Sequence, residues 1–257
     1  MTERYFVAEP ISAEQVVLTG PEAHHMQHVM RAKVGDQVVL FDGGGDEFQA
    51  VVSRIGPRAV ELKVLARVPT SRELPFQLTI VAPLPKGNRQ KWLIEKAVEL
   101  GVTKFIPLVT NRTIVRPSAE ALVRLRRTVV EASKQCGRNR LMEIAAPQHW
   151  ADVVTTAQDD AWRVIAHPSH ESNGMSNDYP WAASGRLPLP LSGEKRRVIA
   201  AVGPEGGFDE MELTMAVNAG WQVVGLGPRV LRLETAVLLL TAWLIFCVAS
   251  AEVVPTG

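Results

Sequence analysis

Cysteine is scarce in this chain, and the scarcity limits the kinds of protein it can be. Cys136 and Cys247 are the only two cysteines in 257 residues, and no Cys-x-x-Cys pair occurs. A small secreted fold held together by disulfides is therefore not expected. The opening residues MTERYFVAEP also lack the apolar core of a secretory signal. Together these absences predict a cytoplasmic protein.

A clear membrane-spanning run is also lacking. The uncharged stretch 235–251 has 17 residues, which is the short limit for a spanning helix, and Glu252 follows it directly. No basic flank or aromatic belt follows this stretch. We therefore expect a buried helix here and no membrane partner.

The net charge of +1 does not indicate a class of partner, but the charges are unevenly distributed. Residues 86–140 contain 13 Lys and Arg against 4 Asp and Glu, whereas residues 141–257 contain 7 against 13. The basic segment fits a surface for a polyanion such as RNA. A scatter of solvated surface charges explains the same counts equally well.

The first 68 residues predict a small, barrel-like β module with one helix. Runs rich in β-branched residues predict strands at 37–42, 47–55 and 59–68, separated by glycine and proline turns. The segment PEAHHMQHVMRA (21–32) places Ala23, Met26 and Met30 on one helical face.

The pattern changes after a linker at 69–75, so that we predict two domains, 1–70 and 76–252. In the second domain predicted strands and helices alternate, which favours an α/β fold with a mostly parallel sheet. Ser118 is the expected N-cap of one helix, and Asp209 with Glu212 predicts a capping box on another. The rich Pro, Ser and Gly content of 168–194 predicts an exposed or disordered loop.

Two glycine-rich loops follow predicted strands of this sheet: GPEGGF (203–208) and GLGPRVLR (225–232). Neither contains the lysine of a phosphate-binding P-loop, and neither is the Gly-x-Gly-x-x-Gly turn of a dinucleotide-binding fold. Ligands of parallel sheets bind at the carboxyl ends of the strands. The pair of loops therefore predicts a site for a small molecule that is held mainly by main-chain groups. The alternative is two ordinary glycine turns.

Four segments together resemble the RsmE family of ribosomal RNA methyltransferases. They are VGPEGGF with LGPRVLRLETA, HHMQHVMRAKVGDQVVLFDG, KGNRQKWLIEKAVELGV, and KQCGRNR. The resemblance implies a SPOUT catalytic domain, which is a trefoil-knotted α/β domain, preceded by a PUA-like RNA-binding β-barrel. Met30 stands where leucine is usual, and the loop 168–194 is longer than the family pattern.

The same resemblance implies a homodimer that uses S-adenosylmethionine to methylate N3 of a uridine in 16S rRNA of the small ribosomal subunit. It also implies the roles of individual residues. Arg232 and Glu234 are the catalytic candidates. The cofactor-binding candidates are His167, Val202, Gly203, Pro204, Glu205, Gly206, Gly207, Leu226, Gly227, Arg229, Val230, Leu231 and Thr235. The RNA-binding candidates are His25, Arg31, Lys86, Arg89, Arg138, Asn139 and Arg140.

Methylation of uracil N3 requires loss of the N3 proton and stabilisation of charge on the neighbouring oxygens. Arg232 is the candidate for that stabilisation, and Glu234 is expected either to orient Arg232 or to cap the helix. The base is left open, with Glu205 and water among the possibilities. The sulfonium of the cofactor is itself the electrophile, so no metal is expected.

Other interpretations stay open at this point. His24 and His28 are spaced to share a metal ion, but no third ligand accompanies them. A SPOUT enzyme for another RNA site and a non-catalytic ribosome-assembly factor are the main functional alternatives. A dinucleotide-dependent oxidoreductase is a more distant one, because its glycine fingerprint is missing.

Overall fold

The computed structural model describes residues 3–156, 161–167 and 197–252, with side chains described up to Cys247. The predicted loop at 168–194 lies outside these residues. The chain divides into two compact units. The first consists of Met1–Glu73 and Val129–Leu141, and the second of Leu74–Thr128 and Met142–Gly257.

The first unit is built on a five-stranded sheet with the order β1-β3-β4-β5-β2. Only β1 and β3 pair in parallel, and the other neighbours are antiparallel. Two register shifts between β4 and β5 interrupt the ladder, and such bulges increase local bending of a sheet. The strands are β1 Arg4–Phe6, β2 Gln15–Thr19, β3 Gln37–Phe41, β4 Glu47–Ile55 and β5 Ala59–Val68.

The predicted helix at 21–32 has two different parts. Helix α1 covers Gly20–His24, and a π-helical turn continues it over His25–Val29. Ala23 and Met26 are buried in the core of this unit, as the helical spacing predicts, whereas Met30 is exposed. Strands β1 and β2 were not predicted, because β1 has only three residues and β2 runs directly into α1 without a separating turn.

The second unit is a parallel sheet of the order β12-β10-β11-β6-β7-β8, with β9 pairing to β7. Its inner strands are almost wholly apolar, since helices cover both faces of such sheets. The strands are β6 Gln77–Ala82, β7 Lys104–Val109, β8 Glu143–Ile144, β9 Gln148–His149, β10 Ala161–Ala166, β11 Arg197–Val202 and β12 Gln222–Val224. The helices are α2 Arg89–Glu99, α3 Ala119–Cys136, α4 Trp150–Thr156, α5 Glu210–Asn218 and α6 Leu233–Glu252. Helix α3 continues into the first unit from Val129 onward.

Helix α6 returns from the edge strand β12 to pack on β6, β11 and α2. Its buried side chains recur at helical spacing: Leu233, Val237, Leu240, Thr241 and Leu244. Phe246 is 69% exposed, so one face of the helix is apolar and reaches the surface. Within the described residues no helix is long and apolar enough to cross a membrane.

The two predicted helix starts are confirmed. The Ser118 hydroxyl accepts a hydrogen bond from the Ala121 amide at 3.2 Å, directly before α3. Asp209 accepts from the Glu212 amide at 2.8 Å, and the Glu212 carboxylate accepts from the Asp209 amide at 3.0 Å. This reciprocal capping box fixes where the chain leaves the first glycine loop and enters α5.

Candidate active site

A cavity of about 280 Å³ lies at the carboxyl ends of β10, β11 and β12. The two glycine loops follow β11 and β12, and both contribute to its wall, as the rule for parallel sheets predicts. The cavity is lined by Ala166, His167, Val202, Gly203, Pro204, Glu205, Gly207, Leu226, Gly227, Pro228, Arg229, Val230, Leu231, Leu233 and Ala236. Of the predicted cofactor-binding residues, only Gly206 and Thr235 are not in the wall.

The wall is mainly backbone and aliphatic side chains, and its curvature depends on glycine. Gly207 has a φ of +69° and Gly227 a φ of +95°, which are left-handed conformations that other residues adopt at a cost. Glu205 and Arg229 are the charged residues of the wall, and both are exposed at its rim. Such a cavity suits a small organic molecule whose polar atoms bind main-chain groups.

Gly206 lies in the first glycine loop but outside the cavity wall. A Cβ atom placed on Gly206 would lie 3.3 Å from Cδ of Arg112. The Gly206 carbonyl accepts a hydrogen bond from Nη1 of Arg112 at 2.6 Å. A side chain at this position would therefore meet Arg112 instead of the ligand. The neighbouring Gly207 is the glycine of this loop that the ligand would approach.

The base of the first loop is held by a rigid aromatic cluster. Phe208 is 3% exposed, and its ring centroid lies 4.7 Å from that of Trp150. Trp150 in turn contacts Trp221 at 5.1 Å and donates from its indole to the Glu212 carbonyl at 2.9 Å. The loop itself closes with a hydrogen bond from the Gly207 amide to the Pro204 carbonyl at 2.8 Å. The cavity wall is thus anchored to the core at one end.

The start of α6 has an ion pair that differs from the expected one. The Glu234 carboxylate is almost buried and accepts from Nη1 of Arg89 at 3.2 Å, so its observed partner is Arg89 and not Arg232. Its second oxygen, Oε2, is buried and makes no hydrogen bond to the described residues. The Arg232 carbonyl accepts the first hydrogen bond of the helix, from Ala236 at 2.9 Å.

The Arg232 side chain is exposed at the start of the helix. Neither Arg232 nor Glu234 lines the cavity, but Leu231, Leu233 and Ala236 next to them do. Thr235 is exposed. The two charged residues therefore stand beside the cavity and not inside it.

The basic segment GRNR is divided between buried and exposed residues. Arg138 is 3% exposed, and its Nε donates to the Glu73 carboxylate at 3.0 Å. Asn139 is 4% exposed and donates to the Thr70 carbonyl at 2.9 Å. These contacts are internal to the first unit, and they disfavour the predicted role of Arg138 and Asn139 as side-chain ligands of phosphate. Arg140 is exposed, as that role requires.

The predicted RNA-binding residues outside that segment lie in different environments. Arg31 is exposed and has a φ of +54°, an uncommon value for a residue with a side chain. His25 is half-buried in the π-helical turn, with its ring 6.1 Å from that of Tyr5. In the second unit Lys86 is exposed, and Arg89 is half-exposed in its pair with Glu234.

The structure also adds residues that sequence reasoning missed. Asn111 and Arg112 follow the carboxyl end of β7. Arg112 contacts the first glycine loop and Asn111 the start of α5, and the position after a parallel strand is the signal that could have found them. Pro228 and Ala236 line the cavity as neighbours of predicted residues. Among the described residues no group of three metal-ligating side chains occurs, and the His24 and His28 rings simply contact each other at 4.6 Å.

Comparison with known proteins agrees with this site. The RNA methyltransferase domain family matches residues 72–245, and the RNA methyltransferase PUA domain family matches residues 18–65. The chain is 33% identical over 237 residues to ribosomal RNA small subunit methyltransferase E of Synechocystis, covering 92% of this chain and 75% of the relative. It is 30% identical over 235 residues to the Mycobacterium bovis enzyme of the same name, covering 88% of this chain and 84% of the relative.

A solved structure supports the same assignment. The ribosomal RNA small subunit methyltransferase E of Neisseria gonorrhoeae, bound to S-adenosyl methionine, has a TM-score of 0.82 and 28% identity, covering 95% of this chain and 97% of that one. The predicted fold class, a SPOUT domain with a PUA-like domain, is confirmed. The chain therefore belongs to the RNA methyltransferase domain family and, within it, to the family of ribosomal RNA small subunit methyltransferase E.

Proposed function

We propose that the protein transfers the methyl group of S-adenosylmethionine to N3 of a uridine in the 16S rRNA of the small ribosomal subunit. The observation that supports this most is the cavity that both glycine loops form at the carboxyl ends of three parallel strands. It occurs in a chain whose relatives are named for small-subunit rRNA methylation, and one of them was crystallised with S-adenosyl methionine.

The residues present fit the cofactor. The left-handed Gly207 and Gly227 allow a close approach of main-chain groups, and the aliphatic wall suits the carbon skeleton of the ligand. Glu205 at the rim offers a carboxylate to a positively charged part of the cofactor. When bound, the cofactor supplies an electrophilic methyl group on a sulfonium.

We assign to Arg232 the stabilisation of charge during the chemical step. Loss of the N3 proton leaves negative charge on the uracil oxygens, and a guanidinium beside the cavity stabilises that charge most at the transition state. Glu234 forms an ion pair with Arg89, so we propose that Glu234 stabilises the start of α6. Its catalytic effect would then be indirect, through the placement of Arg232.

Replacing Arg232 tests this assignment. Arg232→Ala should lower the single-turnover rate of methyl transfer by about two to three orders of magnitude, which is the scale of losing one such donor. Arg229→Ala should affect cofactor affinity more than the chemical step, because Arg229 lines the cavity. Normal turnover by Arg232→Ala would show that Arg232 takes no part in the chemical step and only stands at the end of the helix.

RNA binding is assigned to the exposed cations in each unit. In the first unit these are Arg31, with the half-buried His25 near it in sequence, and Arg140; in the second unit the exposed cation is Lys86. Removing Arg31 or Arg140 should weaken RNA binding and flatten its dependence on salt, since fewer counterions are released. Arg138→Ala should instead destabilise the first unit, because it leaves Glu73 without its buried partner.

We further propose that the protein is a cytoplasmic homodimer. Helices α2 and α6 pack on each other, and both carry large exposed apolar side chains, Trp92 at 43% and Phe246 at 69%. Val230, in the loop before α6, is 96% exposed. Exposed apolar groups of this kind are typical of an interface. Light scattering should give twice the chain mass, and Phe246→Glu should shift the protein toward the monomer.

The cofactor site is tested by titration calorimetry with S-adenosylmethionine. Gly227→Ala should weaken binding strongly, because it adds a side chain to the cavity wall. The matched control is Gly35→Ala. Gly35 has a similar φ of +97°, so the substitution introduces a similar backbone strain, but Gly35 lies in the first unit and does not line the cavity. Equal affinities in the two variants would place the cofactor elsewhere, and no binding by the unaltered protein would favour a non-catalytic factor.

A further inference from the structure

The segment Thr110–Thr113 forms a small rigid turn directly after β7. The Thr113 hydroxyl accepts from the Thr110 amide at 2.8 Å, and the Thr113 amide donates to the Thr110 carbonyl at 3.2 Å. The Arg112 amide donates to the Thr110 hydroxyl at 3.2 Å. The backbone that carries Asn111 and Arg112 is thus fixed by its own hydrogen bonds, although both residues are exposed.

This turn contacts both the first glycine loop and the start of helix α5 that follows it. Arg112 donates from Nη1 to the Gly206 carbonyl at 2.6 Å, in the middle of the loop. Asn111 donates from its side-chain Nδ2 to the Asp209 carboxylate at 2.9 Å, and from its main-chain N–H to the Glu212 carboxylate at 3.1 Å. The hydrogen bond from Asn111, with that from the Glu212 amide, lowers the pKa of Asp209 below its usual value. The loop is therefore held at Gly206, and the helix start that follows it is held at Asp209 and Glu212.

We propose that Arg112, supported by Asn111, is a positioning residue that holds the loop 203–208 in the conformation that binds the cofactor. This inference rests on the proposed function, because the ligand it concerns is S-adenosylmethionine. The carbonyl that Arg112 binds belongs to Gly206, between the wall residues Glu205 and Gly207. Arg112 therefore binds the main chain at a residue whose two neighbours both line the cavity.

The physical reason is the freedom of a Gly-Gly pair. Two consecutive glycines have more accessible backbone conformations than any other pair, so a loop that depends on them is poorly ordered unless something else restrains it. The affinity of a ligand falls in proportion to the fraction of protein that is in the competent conformation. A restraint from Arg112 raises that fraction without touching the ligand. Arg112 should therefore affect cofactor affinity and not the rate of the chemical step.

Two variants of Arg112 and one control separate the effect of the hydrogen bond from that of side-chain packing. Arg112→Met keeps an unbranched stem next to Gly206 but has no donor. Arg112→Lys keeps a positive donor and should recover most of the affinity. The control is Arg124→Ala, which removes one exposed positive charge from α3; among the described residues the Arg124 side chain makes no hydrogen bond to the loop. Circular dichroism and the unfolding midpoint of each variant confirm that it is folded.

The measurement is the dissociation constant for S-adenosylmethionine by calorimetry without RNA, paired with the single-turnover rate at saturating cofactor. Arg112→Met should weaken binding about tenfold, the low end for a hydrogen bond to a charged group because Arg112 is exposed. Its single-turnover rate should stay within about twofold of the unaltered protein, and Arg124→Ala should match the unaltered protein in affinity.

Two results would overturn the proposal. Unchanged cofactor affinity in Arg112→Met would show that the loop does not need this restraint. A reduced single-turnover rate with unchanged affinity would assign Arg112 to the RNA substrate or the chemistry instead. Failure of the unaltered protein to bind S-adenosylmethionine would be a different result, because it would refute the proposed function itself.

Discussion

The ion pair between Arg89 and Glu234 gives a quantitative prediction about stability. It joins the first residue of α2 to the first turn of α6. The Arg89 side chain is 41% exposed and that of Glu234 is 9% exposed, so Arg89→Met leaves a nearly buried carboxylate without its cation. Breaking a fully buried pair costs about 3–5 kcal/mol, whereas exposed pairs contribute about 0–1 kcal/mol.

Because one partner is nearly buried and the other is screened by solvent, we expect an intermediate loss of about 2 kcal/mol in the free energy of unfolding. In a chain of this size that corresponds to a fall of roughly 4–8 °C in the melting temperature. Glu234→Gln removes the buried charge instead of leaving it unpaired, so it should lower the free energy of unfolding by less than Arg89→Met does. The double variant should then lose less than the two single variants combined, by about 1 kcal/mol.

The assay is urea unfolding followed by tryptophan fluorescence. All five tryptophans among the described residues belong to the second unit, so the signal reports the unit that contains this pair. The control is Lys91→Met on the same helix, whose pair with Glu95 is longer, at 3.6 Å, and more exposed. Lys91→Met should lower the free energy of unfolding by less than about 0.5 kcal/mol. If Arg89→Met costs no more than this control, or if the double variant is simply additive, the pair does not hold α6 in place.

Three other predictions concern the core and the titrating groups. Phe208→Ala should lower the free energy of unfolding by about 3 kcal/mol, measured in the same assay, because it empties the aromatic cluster below the cavity. Burial acts to raise the pKa of Glu47, but hydrogen bonds from Arg72 and Arg4 outweigh it and lower the pKa. The stability that Glu47 contributes should thus be present above the ordinary glutamate pKa of about 4.3 and disappear as the pH falls through the lowered value, so urea unfolding of Glu47→Gln and the unaltered chain should differ at pH 7 and converge in acid. Burial, followed by nearby carboxylates, raises the pKa of Tyr5 to about 12, so the ultraviolet difference between the unaltered chain and Tyr5→Phe should develop near pH 12 and not near the ordinary value of about 10.

The sequence predicted the parts of the site that follow from local pattern. Apolar runs and capping residues identify parallel strands and helix starts, and a parallel sheet brings the ends of its strands together. The meeting of the loops 203–208 and 225–232 at one cavity therefore required no long-range information. The family resemblance supplied the identity of the ligand, which periodicity could not supply.

The features that sequence reasoning missed depend on contacts between distant residues. Arg138 looked like a phosphate ligand because it lies in a basic motif, yet its partner Glu73 is 65 residues away in the chain. The Gly206 carbonyl accepts its hydrogen bond from Arg112, which is 94 residues away in the chain. A local pattern shows which residues are charged or flexible, but not which of them the tertiary fold pairs.

The most direct test of the proposed function is to identify the nucleoside that the protein produces. Purified protein is incubated with isolated small ribosomal subunits that lack the modification and with S-adenosylmethionine carrying an isotopically labelled methyl group. The rRNA is then digested to nucleosides and analysed by mass spectrometry. The expected product is labelled 3-methyluridine. Label on a ribose or on another atom of a base, or no transferred label at all, would contradict the proposed function.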